Sequence, residues 1–229
     1  MAENGQMSEG GHQESPHPIT QIATRSLFEN QDVRVWEMDV PPGETFGLHH
    51  HSNDYVLYIL SDANLRVDDK NSGPWDFVGH ARSVFYIKAG PTESFRNLSS
   101  TPFREALIEI KRPPRPDQDR AGFTCCEALV GSGEKPGSVC ILENDRMRIV
   151  ETTLAPGQRS GMQRCERDAA VFVVQPGKVK VVERAAAGTE RAMEETRNAK
   201  HVCWQPGGVE RDLVNLGPDL YREISVEVK

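Results

Sequence analysis

The sequence is short of cysteine, of aromatic residues, of basic clusters and of long apolar runs, and each shortage excludes a class of protein. Five cysteines in 229 residues, two adjacent (Cys125 and Cys126) and three isolated (Cys140, Cys165 and Cys203), form no CxxC pair and are too few for a disulfide scaffold. Reduced thiols in the cytoplasm are the expectation. No apolar run approaches the ~20 residues of a membrane helix, and Met1 to Thr20 lacks the basic start and apolar core of a signal peptide, so neither membrane nor export is expected. With 27 Lys+Arg against 34 Asp+Glu the formal net charge is -7, and without a basic cluster to neutralise phosphates no nucleic-acid partner is expected. Aromatic residues make up only 7%, so Trp36, Trp75 and Trp204 are expected in cores or at rims.

What the chain does have is a succession of short, β-branched apolar runs bounded by Pro, Gly, Asn and Asp. VRVWEMDV, YVLYIL, LRVDD, SVFYIKAG and FREALIEIK form one set, and CILEN, MRIVETTL, AAVFVV, KVKVVE, HVCWQP and YREISVEVK a second. Such spacing predicts an all-β barrel or sandwich. The one stretch that reads as helical is short, about Glu183 to Thr196. Residues 1–20 hold too little apolar surface to offset ordering entropy and read as a disordered tail.

The two sets are copies. A shift of 114 positions lays Leu27 to Asp54 over Ile141 to Asp168 with eight of 28 residues identical, among them Glu29/Glu143, Asn30/Asn144, Arg34/Arg148, Pro42/Pro156 and Gly43/Gly157. Farther on, the shift is 118, and FREALIEIK falls over YREISVEVK, which a four-residue loop insertion explains. The period is too long for a solenoid unit, so each copy is a domain. The expected organisation is a tail over 1–20, a barrel over 21–112, a linker over 113–138 and a second barrel over 139–229.

In the first copy Pro42 and Gly43 form a turn before a strand that carries His49, His50 and His51. Residues two apart share a face of a strand, so His49 and His51 project together and His50 points away. Two imidazoles on one face suit a first-row transition metal. By the same parity Tyr55 lies on that face and Asp54 does not. The plainer reading is a polar strand end in a barrel without metal.

These residues resemble the motifs of the cupin superfamily. Its first motif, G, five residues, HxH, three or four residues, E, six residues, G, falls on Gly43, His49, His51, Tyr55 and Asp62. The second, G, five residues, PxG, two residues, H, three residues, N, falls on Arg82, Lys88, Gly90, Glu93 and Asn97. Tyr replaces the first motif's Glu and Glu93 replaces the second motif's His. The resemblance implies two tandem small jelly-roll barrels, a bicupin with degenerate motifs. It also implies a metal site of His49, His51 and Glu93 for one divalent ion (Fe, Mn, Ni or Zn), with Tyr55 and Glu93 as the catalytic candidates. In the second copy the corresponding positions are Gln163, Cys165, Ala169 or Ala170, and Arg211, so that barrel is expected to be metal-free. Arg211 reads first as ion-paired or exposed, and second as a holder of an anionic group.

Two functions follow. One is a metal-dependent enzyme, dioxygenase-like or isomerase-like, acting on a small, oxygen-rich, chelating substrate. The other is a non-catalytic bicupin that binds or senses a metal or small ligand. In either case a homodimer is expected, since such barrels commonly bury edges and apolar faces in one. Tyr86 and Phe95 are assigned to core packing ahead of pocket lining.

Overall fold

The computed structural model describes residues 21–115, 137–185 and 188–229, together with the backbone of 124–126. The expected tail and most of the expected linker lie outside the described residues. Among the described residues all regular structure is β. The first half contains β1 (Arg25–Glu29), β2 (Val33–Val40), β3 (Thr45–His50), β4 (Asp54–Ile59), β5 (Ala63–Asp69), β6 (Gly73–Gly79), β7 (Val84–Ile87), β8 (Thr92–Asn97) and β9 (Phe103–Ile110). A short β10 (Thr124–Cys126) is followed by β11 (Gly137–Glu143), β12 (Met147–Leu154), β13 (Gln163–Cys165), β14 (Ala169–Gln175) and β15 (Gly177–Arg184). The chain ends with β16 (Glu190–Arg197), β17 (Val202–Gln205), β18 (Val209–Asn215) and β19 (Tyr221–Val228).

Each half is a two-sheet jelly roll, and the strand orders repeat. In the first, β1-β2-β9-β4-β7-β10 faces β3-β8-β5-β6; in the second, β11-β12-β19-β14-β17 faces β13-β18-β15-β16. Even the irregularities recur: β1 bulges between Ser26 and Phe28, and β11 between Cys140 and Leu142, positions 114 apart. The Pro-Gly turns close alike. Gly43 and Gly157 sit at φ 78° and 75°, a left-handed conformation that a side chain would strain, and their amides reach the carbonyls of Asn97 and Asn215 at 2.8 and 2.9 Å. Those two asparagines are fully buried and make matching bonds. Asn97 Nδ2 donates to the carbonyls of Val40 and Thr101, and Asn215 Nδ2 to those of Leu154 and Asp219.

Three apolar clusters organise the molecule. One fills the first barrel with Trp36, Met38, Phe46, Phe95, Phe103 and their neighbours. A smaller one, around Leu154, Val173, Val179, Val181, Leu213 and Tyr221, lies within the second. The third joins the two halves: Val35, Val56, Tyr86 and Ile108 of the first six-stranded sheet pack with Ile149, Phe172, Ile224 and Val226 of the five-stranded sheet. These strands are buried on both faces because one face lines a barrel and the other meets the partner sheet. Tyr58 and Arg82 reach across to Glu151, Asp54 pairs with Arg146 at 3.1 Å, and Phe28 stacks on Trp204. Tyr86 belongs to this inter-half face, where its hydroxyl donates to Asp54.

In its described residues the stretch expected to be helical is two paired antiparallel strands. Glu183 and Arg184 end β15, and Glu190–Arg197 pairs along it as β16. ERAMEETR is rich in helix formers, but the register with β15 overrides that preference. Because β16 is the edge of its sheet, its charged, exposed side chains suit an edge that should not recruit other strands.

Candidate metal centre

The centre is built on β3, the turn that follows it, and the start of β8. His49 lies opposite Glu93 in the β3–β8 ladder, and β3 bulges between Phe46 and His49. His51 lies just past β3, anchored by its backbone: its amide donates to the Pro91 carbonyl at 3.0 Å and its carbonyl accepts from Gly90 at 2.9 Å. As a result one ligand atom each from His49, His51 and Glu93 lies within 4.8 Å of the other two. His50 points away, its Nδ1 2.8 Å from the Thr92 hydroxyl.

Both site imidazoles are buried. His49 Nδ1 is 2.9 Å from the carbonyl oxygen of Gly47. A carbonyl only accepts, so Nδ1 carries the proton and the lone pair resides on Nε2. Burial pulls the His49 pKa down to about 4, outweighing that hydrogen bond, so the ring is neutral at physiological pH. His51 Nε2 stands 3.7 Å from Glu93 Oε1, too far for a hydrogen bond, while its buried Nδ1 has no partner among the described residues. A neutral ring, an imidazole without hydrogen bonds and a carboxylate in one cluster fit a divalent first-row ion, with coordination positions left over.

Tyr55, on β4, stacks on His51 with ring centroids 3.9 Å apart. Burial, then the charge of Glu93, raises its phenol pKa, so it is a neutral donor rather than an anionic ligand. Strand parity does not carry across from His51 to Tyr55, because residues 51–53 lead the chain from β3 into β4 of the facing sheet; Tyr55 reaches His51 from that sheet, and Asp54 points away to Arg146. Phe46 and Phe95 pack edge-on against His49 and hold its plane.

A cavity of about 510 Å³ opens from the centre. Its wall is mostly apolar, including Met38, Leu65, Phe85, Phe95 and Leu107, and Trp75 and Val78 are exposed on the lining strand β6. Phe95 thus lines the cavity as well as packing the core. Glu105 on β9 is a site residue that reasoning from the sequence missed. It is buried in the cavity wall, and burial reinforced by Glu93 pushes its carboxyl up to about 8. The only signal was a charged residue at an inward position of FREALIEIK.

No family model matches the chain, and no curated protein sequence matches it. Solved structures do. AerE from Microcystis aeruginosa aligns with a TM-score of 0.62 at 15% identity, over 88% of this chain and 90% of that one. Oxalate decarboxylase from Bacillus subtilis, a protein with Mn(II) centres, aligns with a TM-score of 0.64 at 11% identity, over 87% of this chain and 70% of that one. The chain has the cupin fold. At these identities the likeness is one of architecture, and within a cupin fold the chemistry must be argued from the site. No helix among the described residues is long and apolar enough to cross a membrane.

Proposed function

We propose that the first barrel is a metal-dependent enzyme, oxygenase-like or isomerase-like, that holds one divalent transition metal on His49, His51 and Glu93. The observation that carries this reading is the convergence of two buried imidazoles and a carboxylate within 4.8 Å at the inner end of a cavity. When bound, such an ion supplies Lewis acidity and open positions for a chelating substrate or oxygen.

The chain's own residues define the rest. Gly47 fixes the tautomer of His49, and Tyr55 fixes the plane of His51 while presenting a neutral hydroxyl. Glu105 offers a carboxyl that keeps its proton at neutral pH, suited to exchange a proton with a bound substrate. The apolar wall excludes water and selects the substrate's body. The substrate class that fits is a small molecule with a chelating oxygen pair at one end and an apolar portion reaching towards Trp75.

Oxygen uptake and product analysis of metal-loaded protein, with β-dicarbonyl and hydroxy-acid substrates bearing apolar tails, test the reading. Turnover lost in His51→Ala and reduced in Glu105→Gln is expected. Stoichiometric metal without turnover would favour the binding and sensing alternative.

A further inference from the structure

The second barrel has a cavity of its own, about 430 Å³, whose wall is mainly polar. Strand register places it where the first barrel has its metal centre. Gln163 lies opposite Arg211 as His49 lies opposite Glu93. Ala169 lies opposite Glu227 as Tyr55 lies opposite Glu109. Cys165, two residues after Gln163, takes the place of His51, and burial pushes its thiol pKa up. Gln, Cys, Ala and Arg therefore stand for His, His, Tyr and Glu. A guanidinium has five donors and no acceptor, so this replacement turns a cation site into an anion site.

Arg211 is more than nine-tenths buried. Its Nη1 donates to Gln205 Oε1 and, at 3.3 Å, to Glu223 Oε1. Its Nε is buried and meets no acceptor among the described residues. A buried donor left unmade costs about 1–3 kcal/mol, and more for a charged group, and Arg211 lines the cavity, so its under-bonded guanidinium is a group whose bonding a ligand there would complete. Glu223, the cavity carboxylate that pairs with Arg211, is held more closely by other donors, and Glu227 is held by a different arginine. Glu223 accepts from Arg197 Nη1 at 2.6 Å and from the Tyr221 hydroxyl, and Glu227 from Arg148 at 3.1 Å. Arg164 lines the mouth, exposed and without an ion-pair partner among the described residues. Ser160, Gln163 and Ser225 add hydroxyl and amide groups to the wall.

We propose that the second barrel is a separate, metal-independent binding site for a small carboxylate with a polar body, whose carboxylate accepts from Arg211. The test is calorimetric titration of the chelator-treated full chain with glycolate, malate and citrate, and with erythritol as a neutral control. Saturable binding of at least one acid, and none of erythritol, is expected. His49→Ala should bind as wild type does, which separates this site from the first barrel. Arg211→Gln should weaken binding at least about tenfold. Because Arg211 also neutralises Glu223, Ala169→Phe supplies a variant that leaves the ion pairs intact. It fills the cavity at a position where the first barrel carries Tyr55, so the variant should keep the wild-type melting temperature and lose binding. No saturable binding of any of the acids at about 10 mM would overturn the proposal. So would binding that survives Ala169→Phe, or binding that disappears in His49→Ala.

Discussion

The phenol ring of Tyr55 lies face to face on the imidazole of His51, with planes 11° from parallel and centroids 3.9 Å apart. This contact holds in place a ring whose own nitrogens have no hydrogen-bond partner among the described residues. Tyr55→Phe keeps the stack and should leave metal affinity within about twofold, whereas Tyr55→Ala frees the ring and should weaken it by about tenfold or more. Competition with a fluorescent chelator measures both. Equal losses in the two variants would mean that the hydroxyl, not the stack, is what matters.

Glu105 predicts an unusual pH dependence. Its carboxyl ionises near pH 4.5 in the unfolded chain and near 8 in the folded one. Between those values the folded state holds a proton that the unfolded state has released, so this group's contribution to stability falls as pH rises from about 4.5 to 8. Glu105→Gln removes the effect. In chelator-treated protein the variant should gain stability relative to wild type across that window, read from urea midpoints at pH 5 and pH 8. A constant difference would contradict the assignment.

The two halves should unfold together. Their sheets share an apolar core, and Glu151 accepts from the Tyr58 hydroxyl at 2.6 Å and from Arg82 Nη2 at 2.5 Å across the junction. Arg82→Met leaves that buried carboxylate with a weaker set of partners and should cost about 2 kcal/mol. A single cooperative transition is expected in wild type and variant, by calorimetry and by tryptophan fluorescence. Two resolved transitions would show that the halves are independent.

The buried asparagines test the repeat itself. Asn97→Ala and Asn215→Ala each remove two donated bonds and one accepted from a backbone amide, Ser99 in one half and Gly217 in the other. Each substitution should cost about 2–4 kcal/mol, and the two costs should be similar. A cost confined to one half would mean that the equivalence is only geometric.

The parts that could be read in the sequence depend on local rules. The 114-residue repeat follows from residue identities, and the strand periods and the pairing of His49 with His51 from side-chain alternation, without tertiary information, whereas Tyr55 joins them from the facing sheet. Glu93 was reached through a motif, and the ladder shows why it works: it sits directly across from His49. Other features were hidden for physical reasons. Val35, Val56 and Ile108 look like any core residues, and only the packed sheets reveal that they bind the halves together. ERAMEETR has helix-forming composition but becomes a strand because β15 offers a free edge. Glu105 reads as a stray charge within a core strand until the cavity and Glu93 surround it, and the polar network of Arg211, Gln205 and Glu223 joins residues from three strands.

The central claim is that His49, His51 and Glu93 hold a metal ion. Elemental analysis by mass spectrometry, on untagged protein stripped, reloaded with Mn(II) or Fe(II) and freed of excess ion, tests it most directly. The account predicts about one ion per chain in wild type, and at least about a tenfold fall in affinity in both His49→Ala and Glu93→Gln. Wild-type protein that retains no stoichiometric metal, or a Glu93→Gln variant that binds it as well as wild type, would contradict the account.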